Sequence, residues 1–349
     1  MDENVSSLPT IVDVVESLSK MEVDESIRNV GPSVFRMDVD TYNVVTREEG
    51  KNIPMLFPNS TSSATFYRGQ NKFWNKCVPT LYRNNNASSY DHKLINQIKM
   101  AEFFSVVLSH PVVMDFTNNF YLDLTAIAQH YGFSTDYLDI TNNKWVAAFF
   151  ACTQYVNGQY IPVDKDFGDG VGVMYASFPP MLFRLAPPSR DFFNRLNVIG
   201  FQYFQRPSKQ NSFFYKLGDG ENFNDVKWFY KIKFRHDINA SKIIFNMSYK
   251  QQRFYPDDTT SVIANAIISE SYEISWKSVD FARNYWGINL SDSEIEKVLL
   301  RNNIPWHKRN ETNIMYDSEQ IKNDWDEWNR FGRNDLIRRI NPIIPVASL

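Results

Sequence analysis

"AIAQHYGFSTDYLDITNNKWVAAFFA", residues 126–151, is the stretch on which the fold turns. It brings Gln129, His130 and Tyr131 together, turns at Gly132, and sets Thr135, Asp139 and Thr141 ahead of an apolar run. The periodicity predicts two helices joined by a turn. One covers about 121–131; the other starts near Asn142 and reaches about Tyr155, with Trp145, Ala148, Phe149 and Cys152 at helical spacing. Thr141 stands where an N-cap belongs, since a hydroxyl there accepts from a free helical N–H. Two readings of the polar crowd are open. In the first it is a site: His130 acts as a general base, its ordinary pKa lying near neutrality, Asp139 orients it, and Thr135 bonds a ligand. In the second it is a polar turn around a satisfied core histidine.

The stretch "FYRGQ", 66–70, ends an apolar, β-prone segment with an arginine and a glycine. A guanidinium there can grip a phosphate or carboxylate with two parallel hydrogen bonds. Gly69 admits the close approach of a ligand or of another backbone, and Gln70 adds a donor and an acceptor. The alternative is that Arg68 caps a buried carboxylate such as Asp139. Familiar templates are missing: the chain has no G-x-S-x-G, no phosphate-loop motif and no G-x-G-x-x-G. Its histidines, at 92, 110, 130, 236 and 307, have no metal-ligand spacing, so no metal site is expected. Glu270 and Glu273 form a carboxylate pair read chiefly as a solvated face.

The rest of the chain sets the frame. Aromatic residues are 15% of the whole, enough to build a packed core rather than a disordered chain. The formal net charge of -3 implies no general pull on nucleic acid or anionic membrane. Two cysteines, Cys77 and Cys152, make no disulfide framework and read as reduced thiols. The start "MDENVSSLPT" lacks a basic, apolar leader. The longest apolar run, Trp145 to Cys152, falls far short of the roughly 20 residues that span a bilayer. A cytoplasmic location is expected.

Three regions are expected. Residues 1–60 form an extension whose helix carries Ile11, Val12, Val15 and Leu18 on one side, opened by Pro9 or Thr10. Residues 61–270 form the main domain, and 271–349 a helical C-terminal extension. Within the main domain, 91–110 reads as an amphipathic helix and 171–178 as a strand. "VKWFYKIKF", 226–234, reads as a strand at the centre of the sheet, because both faces carry aromatics. Residues 179–225 read as a long irregular excursion. Caps are expected at Thr259 or Thr260 and at Ser291 or Asp292, and the helix with Ile321, Trp325 and Trp328 is expected to stop at Gly332. The predicted class is α+β: a small mixed sheet packed by helices, with a mainly helical C-terminal region.

"FYRGQN…VPTLYR" followed by "LTAIAQHYGFSTDYLDITNNKWVAAFFA" resembles the FRG domain family, named for its aromatic-Arg-Gly motif. The shared pattern falls at Tyr67–Gln70, Pro79–Arg83, Gln129–Gly132 and Leu138–Ala151. Later pieces, "RPSKQNSFFYKLG" at 206–218 and "RFYPDDTTSVIANAI" at 253–267, extend the resemblance to about residues 64–270. Two positions depart from the family: Asp136 stands where an arginine is usual, and Ile140 where a tryptophan is usual. The resemblance implies a polar site formed by Arg68, Gln70, Gln129, Thr135, Asp139 and Gln210, with His130 as its catalytic candidate, and it brings no assigned reaction. The arginine beside glycine is also similar to the NAD-gripping strand of ADP-ribosyltransferases. That likeness implies a nucleotide-like ligand such as NAD: Arg68 on a phosphate, His130 or Thr135 on a ribose hydroxyl, and Glu270 or Glu273 as a downstream glutamate. The competing expectation is a non-catalytic module that binds a protein partner, with the same residues knitting its interior.

Overall fold

The computed structural model describes residues 5–29, 42–45, 53–58, 65–83, 90–177, 195–199, 204–309 and 311–340. In chain order, helix α1 (Ile11–Asn29) precedes strands β1 (Tyr42–Val45), β2 (Met55–Pro58) and β3 (Tyr67–Gln70). Helices α2 (Tyr90–Ser109), α3 (Pro111–Thr117) and α4 (Leu124–His130) lead to β4 (Tyr137–Thr141) and α5 (Lys144–Ala151). Then come β5 (Thr153–Val156), β6 (Gln159–Pro162), β7 (Val171–Ser177), β8 (Leu196–Val198), α6 (Gln205–Gln210), β9 (Ser212–Lys216) and β10 (Phe229–Arg235). The rest is α7 (Ile238–Met247), α8 (Thr259–Ile268), β11 (Ile274–Ser275), α9 (Trp276–Trp286), α10 (Asp292–Arg301), β12 (Trp306–His307), α11 (Ser318–Glu327) and α12 (Arg333–Arg339). No helix among the described residues is long and apolar enough to cross a membrane.

The class is α+β, as the sequence predicts. Six strands form the main sheet in the order β10-β7-β3-β4-β9-β8, antiparallel at every pairing. Small two-stranded ladders, one of them the parallel pair β11 and β12, lie outside it.

Strand alternation sends side chains to two faces. One face holds Leu138, Ile140, Val173, Tyr175, Phe213, Tyr215 and Phe229 in a single apolar core. The other face is shared by two cores. Over β3, β7 and β10, Tyr67, Met174, Ala176 and Phe234 pack under α1, α5 and α7. Over β4 and β9, Tyr137 and Phe214 pack under α2, α4 and α8. The two cores divide at the β3/β4 boundary. Helix α1 joins the first of them by burying Ile11, Val14, Val15 and Leu18. Each such side chain contributes about 1.5–3 kcal/mol when fully buried. Its N-terminus is closed by Thr10, whose hydroxyl donates to Asp13 at 2.7 Å.

Several expectations change. The stretch 126–151 is helix, turn, strand and helix: β4 intervenes, with Leu138 and Ile140 on one face and Tyr137, Asp139 and Thr141 on the other. Thr141 ends that strand, and Asn143 caps α5 by accepting from the Trp145 N–H at 3.0 Å. β10 is an edge strand, not a central one. Lys231 and Lys233 keep one of its sides in water, as edge strands commonly do. Within 179–225, the described residues include β8, α6 and β9 instead of an irregular run; 178–194 and 200–203 lie outside them. Asp258, one residue before the expected threonines, caps α8. The chain also passes Gly332 without stopping, through a π-helical turn at Trp328–Gly332 into α12. The cap at Ser291 is where the sequence places it.

Gly69 fixes the distance between β3 and α5. A Cβ there would lie 1.8 Å from the main-chain oxygen of Ala147 and 2.9 Å from the Ala151 methyl. The backbone that approaches Gly69 is therefore a helix. Gly69→Ala forces α5 off the sheet and is expected to lower stability by about 2–3 kcal/mol, read from urea unfolding. An unchanged midpoint would contradict this packing.

Candidate functional site

β3 pairs with β7 along its whole length, Tyr67–Gln70 opposite Ala176–Val173. It meets β4 at one pair only, Tyr67 with Thr141. β4 in turn pairs with β9 at all of its residues. The sheet is thus split beyond Tyr67 and Thr141. A split in mid-sheet strands main-chain groups that need partners. Arg68 supplies one: its Nη1 donates to the main-chain oxygen of Asp139 at 2.6 Å. The expected salt bridge to the Asp139 carboxylate is not what forms.

That carboxylate is held from the helical side. Helix α4 is placed over β4 by Asp123, which caps it through the Ala126 N–H at 2.9 Å and accepts from the Tyr137 hydroxyl at 3.1 Å. Gly132, at φ +94°, turns the chain out of α4, a conformation that other residues adopt only with strain. A relay then runs inward. The Tyr137 N–H donates to Thr135 Oγ1 at 3.1 Å, Thr135 Oγ1 donates to Gln129 Oε1 at 2.5 Å, and Gln129 Nε2 donates to Asp139 Oδ2 at 3.2 Å. Thr135 and Gln129 therefore orient Asp139 and leave its other oxygen open.

His130 follows Gln129 and is buried, its ring edge-on to Phe214 at 5.1 Å between centroids. Burial lowers its pKa; the Asp139 charge opposes this and the Arg206 charge adds to it. The ring is consequently neutral at neutral pH. Gln210 lies beside it, anchored by Nε2 to the Phe254 carbonyl at 2.9 Å, while its own main-chain oxygen accepts from Thr141 at 2.7 Å. Arg206, one turn earlier on α6, donates to the Pro256 carbonyl at 3.0 Å and the Tyr255 hydroxyl at 3.1 Å, and stacks on that ring at 4.0 Å. The seam between the two cores is therefore polar, floored by Asp139 and roofed by α6 and the 254–256 segment.

Four buried polar atoms of these elements have no hydrogen-bond partner among the described residues: Arg68 Nε, Gln70 Oε1, His130 Nε2 and Asp139 Oδ1. Asp139 and His130 lie on the helical face, whereas Arg68 and Gln70 alternate with Gly69 and leave β3 on the other face, so that Arg68 meets Asp139 only at its main chain in the split. The four atoms belong to four of the seven residues expected from the sequence, drawn from β3, α4 and β4. An unmet buried polar group costs about 1–3 kcal/mol, and each calls for a physical explanation; seven further such atoms among the described residues, His236 Nδ1 among them, belong to other residues.

A second arginine, Arg83, is exposed and lies within electrostatic reach of Arg68. The segment before it is tied down where the Leu81 N–H donates to the Thr135 carbonyl at 3.2 Å, and Arg83 Nε donates to the Val78 carbonyl at 3.1 Å. Surrounding protein and then the like charge of Arg68 hold the Arg83 pKa below the usual arginine range, while Asp139 acts the other way. Neither Arg68 nor Arg83 forms an ion pair with a carboxylate among the described residues. Sequence reasoning missed Arg83 and Arg206, although both stand in segments that carry the family pattern.

Other positions are engaged elsewhere. Asp136 faces Lys216 at 3.5 Å rather than the seam. Glu273 pairs with Arg309 at 3.6 Å and accepts from Asn313, and Glu270 lies in the field of Lys99. Neither glutamate makes a hydrogen bond or ion pair with the Arg68–Asp139 group among the described residues. Two surface grooves lie apart from the seam: one of about 470 Å³ beside Glu221 and Trp228, and one of about 450 Å³ beside Phe73 and Lys233.

Residues 63–159 match the FRG domain family model, so the chain carries an FRG domain from just before β3 to the start of β6. The segments around Arg206 and Tyr255 lie beyond the matched stretch. No curated protein and no solved structure matches the chain.

The buried histidines set a pH dependence. Burial holds His110, His130 and His236 below the ordinary 6.5 in the fold. Below about pH 6.5 the unfolded chain takes up protons that the folded one refuses, so stability falls with pH by at most about 1.4 kcal/mol per pH unit for each. Asp13, Asp91, Glu221 and Glu294, whose pKa values are lowered, lose their contribution only near and below pH 4. Urea midpoints measured from pH 8 to 5 are expected to stay level and then drop below about 6.5. His130→Gln should flatten that drop, and an unaltered slope would contradict the neutral, buried state of His130.

Proposed function

We propose that the split between β3 and β4 is the binding site of a small, phosphate-bearing, nucleotide-like ligand, with NAD the first to test. The four unpartnered atoms of Arg68, Gln70, His130 and Asp139 carry this reading. A purely structural network would leave fewer such groups unmet, because each detracts from stability. The charge distribution supports an anion: Arg68 has no carboxylate partner among the described residues, and a guanidinium fork matches phosphate oxygens. His130, neutral and open at Nε2, and Asp139, open at Oδ1, would face the ligand's hydroxyls. This pair is the acid–base equipment of the site if the ligand is transformed. Thr135, Gln129 and Gln210 act behind them as positioning residues.

The reading as a non-catalytic module rests on a different observation, the contact from Arg68 to the Asp139 carbonyl that closes the split. The two readings separate on one substitution. Titration calorimetry of the full chain with NAD should show binding. Arg68→Ala should weaken it at least about tenfold, since a charged hydrogen bond contributes about 1.5–3 kcal/mol, with Tm within a few degrees of the parent. Absence of NAD binding together with a sharp fall in Tm for Arg68→Ala would favour the structural module. Nicotinamide release from NAD, followed by chromatography, separates turnover from binding.

A further inference from the structure

We propose that the strip formed by residues 72–76 and the outer edge of β10 binds single-stranded nucleic acid, with aromatic rings stacking on bases and lysines meeting the backbone phosphates. The strip is separate from the split between β3 and β4 and does not depend on the ligand proposed there.

Direct contacts hold the strip together. "NKFWNK", 71–76, follows β3 and sets two aromatics between two lysines. Lys72 Nζ stands 4.9 Å over the Trp74 ring, and Lys233 Nζ, from β10, stands 5.2 Å over the Phe73 ring. Asn224 ties the two segments. Its Nδ2 donates to the carbonyls of Trp74 and Asn75 at 2.8 and 3.1 Å, and its own carbonyl accepts from Lys231 Nζ at 3.0 Å. Leu8, Phe73, Lys231 and Lys233 line a groove of about 450 Å³ at this place.

Charge and shape decide the class of partner. Lys72, Lys76, Lys227 and Lys231 form no ion pair among the described residues; Lys216 and Lys308, which do, lie elsewhere. The strip is thus locally positive on a chain whose formal net charge is -3. The loop that carries Asp166 and Asp169 packs at Gly168 against the stem of Lys72 and bounds the strip there, and Asp225 lines the other groove. Lys231 and Lys233 are alternate residues of one strand, about 6.7 Å apart along it, close to the step between successive phosphates of an extended single strand. Trp74 is 51% exposed and offers a flat ring beside those cations. Every base has a π-face, so stacking of this kind tolerates any sequence. A duplex keeps its bases inside and would use the lysines alone. An acidic peptide matches the lysines and leaves the exposed indole without a stacking partner.

The test is fluorescence anisotropy of a labelled oligothymidylate of about twelve nucleotides, within the usual range for such surfaces, titrated with the full chain. It is expected to bind at least tenfold more tightly than the matching duplex or an oligoglutamate of equal length. Trp74→Ala should weaken it at least about fivefold, the loss of one base stack, and Trp74→Phe, which keeps a ring, should retain most of the affinity. Lys231→Gln combined with Lys233→Gln should flatten the slope of log affinity against log salt by about 1.4, the share of two phosphate contacts on a single strand. Trp74, Lys231 and Lys233 are exposed, so all these variants should unfold at the parent's urea midpoint. No binding of the oligothymidylate would overturn the proposal. So would equal affinity for the duplex, or an affinity that Trp74→Ala leaves unchanged. An oligoglutamate that binds as tightly, and is lost with the two lysines, would make the strip an acidic-peptide surface and overturn the nucleic-acid reading.

Discussion

The hydrogen bond from Arg68 to the main-chain oxygen of Asp139 is the constraint around which this structure is organised. It bridges a place where a six-stranded sheet stops pairing with itself. On one side, β3 is locked to β7 and pressed by α5 at Gly69; on the other, β4 is locked to β9 and covered by α4. Neither half can slide to close the opening without losing its own ladder. Arg68 satisfies one of the main-chain groups left over and brings a charge into the gap. An arginine can do this where a leucine cannot, because its long stem reaches sideways along apolar surface while its head meets a carbonyl.

The split also explains why the helical side has two cores. Each half-sheet buries its own apolar face, one under α1, α5 and α7, the other under α2, α4 and α8. The seam between them is the place where polar side chains stay close to the sheet. Asp139 lies at its floor, and His130, Gln210 and Arg206 come to it from above. The opposite face has one uninterrupted core, which holds the halves together despite the break. A binding place in mid-sheet is thereby compatible with a stable fold.

Much of this was legible in the sequence, and the losses have physical causes. The FRG pattern located Arg68, Gly69, Gln129, His130 and Asp139 before any coordinates. In the structure Gly69 meets α5, Arg68 meets the Asp139 carbonyl and Gln129 holds the Asp139 carboxylate, contacts that demand those particular side chains. Strand β4 was missed. Its alternation, with Leu138 and Ile140 against Tyr137 and Asp139, is only five residues long, and Thr141 imitates a helix cap. β9 was missed because Phe213, Phe214 and Tyr215 are all buried, so no alternation is visible. β10 was placed at the centre on its aromatics, whereas Lys231 and Lys233 record an edge. Arg83 and Arg206 stand in segments that carry the family pattern, but nothing in those segments marks them as neighbours of Arg68 or His130. The approach of Arg206 to His130 depends on which elements neighbour each other, and topology of that kind is not written in a five-residue window.

The central claim is that the gap bridged by Arg68 receives a ligand. Arginine Nε–H resonances of the 15N-labelled full chain test it most directly, with Arg68 assigned by loss of its peak in Arg68→Lys. On titration with AMP or NAD, the Arg68 Nε–H, now without a partner, should shift strongly as it acquires one. An Arg68 resonance that stays fixed while nucleotide is bound would place the ligand elsewhere and contradict the account.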